Sequence, residues 1–92
     1  MNGKQRRHLR AIGHSLKPSL NLGKHGLSEQ MKKEIISQLS DHELIKLKVL
    51  DTCPLSQKEC AEMLSNEKLI EVVQIIGKTL LLFCKNEESQ KK

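Results

Sequence analysis

The stretch "LIEVVQIIGKTLLLFC" (residues 69–84) decides the fold. Its centre, Gly77-Lys78-Thr79, has the ending of a nucleotide-phosphate loop, which would run strand–loop–helix. That loop needs a second glycine five residues before Gly77, and the position holds Val72. The flanks also argue against it. Residues 69–76 are β-branched and read as a strand, and Gly77-Lys78 fits a two-residue hairpin turn with glycine first. Residues 79–84 then return as a second strand. Its unbroken apolarity marks a central strand, covered on both sides or partly so. The domain therefore closes on an antiparallel hairpin, and nucleotide binding is set aside.

Upstream, periodicity supplies the other elements. Residues 4–16 read as a helix with Leu9, Ile12 and Leu16 on one apolar stripe and Arg6, Arg7 and Arg10 mostly off it. Gly13 weakens this helix and Pro18 stops it. "SLNL" (19–22) alternates as a short strand. Ser28 is placed to cap a second helix through residue 40, with Leu27, Met31, Ile35, Ile36 and Leu39 on its core side and Lys32 and Lys33 elsewhere. "HELIKLKVL" (42–50) puts Ile45, Leu47 and Val49 on one face of a strand and Lys46 and Lys48 on the other. Ser56 and Glu59 form a capping box for a short helix ending near Asn66, with Cys60, Met63 and Leu64 as its apolar side.

The order is helix-strand-helix-strand-helix-strand-strand. The first two strand-helix-strand passes are expected to be right-handed with parallel strands. The fold class is α/β: a two-layer arrangement on a four-stranded mixed sheet. Residues 1–92 read as a single domain with a core of about 7–85 and a charged, frayed tail over 86–92.

Charge points to a partner. The chain of 92 residues has a net charge of +5. Residues 1–33 hold eight basic residues and one acid, whereas residues 34–92 hold eight basic and ten acidic residues. This polarity suggests a polyanion held by the N-terminal third. Phe83 is the only aromatic residue, so the chain lacks the stacking platforms that read single-stranded bases. Any grip on nucleic acid is expected to fall on the backbone.

The loop Gly23-Lys24-His25-Gly26 suits that task. Glycine lets a phosphate come close, the amides opening the next helix carry partial positive charge, and Lys24 and His25 add a charge and a donor. Many such turns merely connect a strand to a helix, so the loop gains weight from the basic residues around it.

Other chemistry is thin. Cys53, Cys60 and Cys84 lack metal-ligand spacing and read as reduced thiols. His42 and Glu43 would point to opposite faces of a strand. No nucleophile–base or carboxylate pair stands out, so no enzyme, cofactor, metal or small-molecule substrate is expected. No signal peptide or membrane-spanning run is visible, which suits a cytoplasmic protein.

Three runs carry a family resemblance: "HSLKPSLNLGKHGLS" (14–28), "HELIKLKV" (42–49) and "VVQIIGKTLLLF" (72–83). Together they resemble the CRM domain, whose free-standing bacterial version is the YhbY family. The resemblance implies an RNA-binding protein associated with ribosome maturation. It also implies a fold like the C-terminal domain of bacterial translation initiation factor three. The implied RNA loop is Gly23, Lys24, His25 and Gly26. Lys17 and Lys46 are further matched basic positions, and Arg6, Arg7, Arg10, Lys32 and Lys33 complete the candidate surface. One departure is visible: Phe83-Cys84 stands where the family usually has tyrosine and arginine.

The expected partner is thus ribosomal RNA or a large-subunit precursor. The alternative is a protein-interaction module that docks on a ribosomal protein or assembly factor, and DNA binding is weaker still.

Overall fold

The computed structural model describes residues 3–84. The expected tail over 86–92 lies outside them. Seven elements follow in the expected order: α1 (Gly3–Ser15), β1 (Leu20–Leu22), α2 (Glu29–His42), β2 (Leu44–Val49), α3 (Gln57–Ser65), β3 (Ile70–Ile76) and β4 (Thr79–Cys84). The four strands form one mixed sheet in the order β1-β2-β4-β3.

The terminal hairpin shapes this sheet. β1 and β2 are parallel neighbours, while β4 is antiparallel to both β2 and β3. β2 and β3 therefore run in the same direction, but β4 lies between them. The continuous apolar run now has its reason: Leu80, Leu81 and Leu82 are all fully buried, on alternate faces of a central strand. The β3–β4 register slips between Val72 and Gln74, which marks a bulge at Val73. Gly77 turns the hairpin at φ +58°.

Leu80 and Leu82 belong to the main core. They join Leu22, Ile45, Leu47 and Val49 from the sheet, Ile35 and Leu39 from α2, and Cys60, Ala61 and Leu64 from α3. Caps fix both helices against this face. Ser28 Oγ accepts from the Met31 amide at 3.1 Å. Ser56 and Glu59 form the complete reciprocal box, at 3.1 Å and 3.0 Å. Met63 is not core: it is exposed, and Ala61 is buried in its stead.

Leu81 points to the other face, and there α1 covers it. A Cβ on Gly13 would lie 2.6 Å from Leu81 Cδ2, so the backbone of α1 rests directly on that side chain. The sheet is thus backed by α2 and α3 on one face and crossed by α1 on the other. The buried side of α1 also differs from the apolar stripe. Gly13 is buried and Arg6, Leu9, Arg10 and Leu16 are half-buried, whereas Ile12 is exposed.

The α2–β2 boundary moves as well. α2 continues to His42, and Glu43 caps it at φ +65°, where a non-glycine residue is uncommon. The Glu43 amide donates to the Leu39 carbonyl and its own carbonyl accepts from the Cys84 amide, so the turn is tied to both neighbours.

Candidate nucleic-acid interface

The Gly23–Gly26 loop leaves the end of β1 and leads into α2. The Gly26 amide donates to the Gly23 carbonyl at 3.0 Å, closing a tight turn. Gly26 has φ +58° and needs to be glycine, because a Cβ there is disfavoured by about 1–2 kcal/mol. Gly23 has no such need. A Cβ on Gly23 would find Thr52 Oγ1 at 3.7 Å, an ordinary contact. What Gly23 contributes is a low profile beside the 50–55 loop.

That second loop supports the first. The Leu50 amide donates to the Leu22 carbonyl at 2.9 Å, and a Cβ on Gly26 would meet Pro54 at 3.5 Å and Leu55 at 3.7 Å. Lys24 and His25 project from this base and are exposed. With Asn21, Ser28, Gln30 and Met31 they line an open depression of about 750 Å³.

The first turn of α2 opens onto it. Ser28 satisfies the Met31 amide with its side chain and the Lys32 amide with its carbonyl. The amides of Glu29 and Gln30 have no acceptor among the described residues, which is the anion-attracting state of a helix start. Two carboxylates, Glu29 and Glu34, share the depression. Attraction for an anion therefore rests on Lys24, His25 and these amides at the rim.

The other predicted residues fall into separate groups. Lys32 and Lys33 lie on α2, half-buried and exposed respectively. Lys17 and Lys46 lie together at the opposite end of the strands, around a shallow hollow that also includes His42. Lys46 is engaged, its Nζ donating to the Leu16 carbonyl at 3.1 Å. The arginines sit on α1 across the second face. Arg6 pairs with Glu71 at 3.2 Å and donates to the Val72 and Val73 carbonyls at 3.3 Å and 3.1 Å. Arg10 is half-buried with its Nε enclosed, and Arg7 is exposed.

Two residues of this region were not among the candidates. Asn21 lines the depression, and strand alternation in "SLNL" already places it opposite the core side chains. Lys78, beside the same end of the sheet, is bound by Asp51.

Among the described residues, no three His, Cys, Asp or Glu side chains gather as a metal site, and no helix is long and apolar enough to cross a membrane. Cys60 is fully buried, and burial, with the neighbouring Cys53 thiol, pushes its pKa up to about 12.

Comparison with known proteins agrees with this architecture. "Probable RNA-binding protein YqeI" of Bacillus subtilis is 37% identical over 90 residues, covering 98% of this chain and 94% of the relative. A Haemophilus influenzae relative named "RNA-binding protein" is 33% identical, covering 98% and 91%. The solution structure of SAV1595 from Staphylococcus aureus superposes with a TM-score of 0.74 at 37% identity, covering 94% of this chain and 90% of that one. The CRS1 / YhbY (CRM) domain profile matches residues 1–83, and the chain belongs to that family.

Proposed function

We propose that this chain is a non-enzymatic RNA-binding protein that holds the RNA backbone at the Gly23–Gly26 loop and acts on ribosomal RNA or large-subunit precursors during ribosome assembly. One observation carries the reading. Two exposed cationic or titratable side chains, Lys24 and His25, stand at the mouth of α2 beside amides that have no acceptor among the described residues. A phosphate placed there would meet donors on the loop and a helix dipole behind it. The names of the relatives support RNA as the polyanion. The near absence of aromatic residues supports a grip on backbone rather than bases.

Lys17, Lys32, Lys33 and Arg7 extend the basic surface in this reading. Arg6, Arg10 and Lys46 contribute less, because the protein itself occupies or encloses their donors.

The test is fluorescence anisotropy with a structured ribosomal RNA fragment across a salt series. The Lys24→Asp/His25→Asp variant, checked for folding, is expected to bind at least about ten-fold more weakly and with a shallower salt slope. Unchanged binding would overturn the loop as the phosphate site.

A protein partner is the second reading. It is favoured by Ile75 and Leu69, both exposed, on and beside the edge strand β3. Ribosome association that survives charge reversal in the loop would support it.

A further inference from the structure

The second face of the sheet is only partly covered by α1. Outward-facing residues of paired strands line up as rows across a sheet. One row, Lys46–Leu81–Gln74, lies under α1: Lys46 bonds the Leu16 carbonyl and Leu81 meets Gly13. The next row toward the Gly23–Gly26 loop is Asn21–Lys48–Thr79–Ile76. Two residues along a strand span about 7 Å, so this row forms a narrow floor between α1 and the loop.

Its polar end is open. Asn21 and Lys48 are exposed and directly opposed across the β1–β2 pairing. Asn21 belongs to both features, because it also lines the loop depression. Lys48 differs from its basic neighbours. Arg6 is held by Glu71, Lys46 by a carbonyl and Lys78 by Asp51, whereas the Lys48 ammonium group has no hydrogen bond or ion pair among the described residues. Its cross-strand neighbours, Asn21 and Thr79, are uncharged, so no carboxylate in its row competes for it.

We propose that Lys48 and Asn21 form a second phosphate contact, and that one unpaired RNA strand runs from the Gly23–Gly26 loop over β1 onto β2. This rests on the RNA-binding reading above and extends it to residues outside the loop. Lys48 supplies the charge. The Asn21 amide, one strand spacing of about 4.8 Å away, donates to a phosphate oxygen or a 2′-hydroxyl. A floor one row wide, bordered by a helix, admits one chain. Both contacts fall on phosphate or sugar and no aromatic side chain lies in the row to stack a base, so the contact is tolerant of sequence.

Anisotropy with a short unpaired RNA of mixed sequence tests this, with the same sequence in a duplex as the second arm. Lys48→Ala is expected to weaken binding to the unpaired RNA about five- to ten-fold at low salt. Its log–log salt slope is expected to fall by about 0.7, the value for one phosphate on a single strand. Lys48→Arg keeps the charge and is expected to restore both. Lys78→Ala, whose ammonium group is already bound by Asp51, is expected to change neither. Lys48 is exposed, so thermal unfolding of Lys48→Ala is expected to match wild type.

If Lys48→Ala keeps wild-type affinity and slope while Lys24→Asp/His25→Asp loses binding, the second contact is wrong and the loop reading stands. Tighter binding to the duplex would overturn the single-strand path. Failure of wild type to bind either RNA would remove the functional reading itself.

Discussion

Gly13 shows how one missing atom sets the position of a helix. A Cβ at this position would lie 2.6 Å from one Leu81 methyl group and 3.0 Å from the other. Leu81 is fully buried, so any shift of its methyl groups takes place inside the packed interior. Gly13→Val is therefore expected to destabilise the fold by about 1–3 kcal/mol in urea denaturation, although valine is the better helix former. In the sequence this glycine reads as a weakness of α1, because helix propensity registers what glycine lacks and not what its neighbours gain. Cys60 makes a second residue-scale point. Its thiol is pushed from 9.0 to about 12, chiefly by burial and then by the Cys53 thiol. In the unfolded chain it ionises near its ordinary pKa, so between about pH 9 and 12 the unfolded state binds fewer protons than the folded one. Stability from this group is full below about pH 9 and is lost as pH rises through that window. Cys60→Ala is expected to be less stable than wild type at neutral pH, with the gap narrowing above about pH 9. A gap that stays constant into that alkaline window would show that Cys60 is not held protonated.

Among the elements, α1 is the one whose type the sequence predicts and whose docking face it does not. Hydrophobic periodicity assigns packing to Leu9, Ile12 and Leu16. The structure rotates the helix so that Arg6, Arg10 and Gly13, spaced i, i+4, i+7, also face the sheet and Ile12 points out. The reason is physical. Glycine gives the closest approach, and arginine stems cover apolar surface while the guanidinium group reaches polar atoms at the rim. Arg6 finds them at the β3 bulge, where it meets the carbonyls of Val72 and Val73 and the carboxylate of Glu71. It thereby also occupies part of an edge strand otherwise open to pairing. By contrast α2 announces its face correctly behind its serine cap, and α3 does so except at Met63, which is exposed while Ala61 is buried. α1 buries only Gly13 fully. Arg6→Ala is therefore expected to speed amide exchange in α1 about five-fold, corresponding to roughly 1 kcal/mol for the lost bonds. Exchange in β2 and β4 should be unaffected. Equal acceleration throughout would mean that α1 opens only with the whole domain.

At the scale of the molecule, the last strand in sequence is the centre of the sheet. β4 pairs with β2 from Leu44 to Lys48 and with β3 from Ile70 to Ile76, and it places leucines into the layers on both faces. The apolar run 80–84 makes its central position legible, but its insertion between β2 and β3 is not. Parallel β2 and β3 are equally compatible with direct pairing, and only long-range packing chooses. The candidate site shows the same limit. The loop and its helix start are local and can be read from a few residues. The row that joins Asn21 to Lys48 depends on strand register, which no short stretch encodes. This topology also sets how the chain must fold. Until residues 79–84 are available, β2 and β3 have no common partner, and the inner faces of α1, α2 and α3 lack the leucines they cover. A chain ending at residue 78 is therefore expected to show no cooperative urea transition. Full-length Leu82→Ala is expected to keep one, at a cost of about 2–5 kcal/mol for a fully buried leucine. Circular dichroism on both separates the two cases: a cooperative transition in the shortened chain would mean that β1, β2 and their helices form a stable unit without β4, and that the hairpin is an addition to the core and not its keystone.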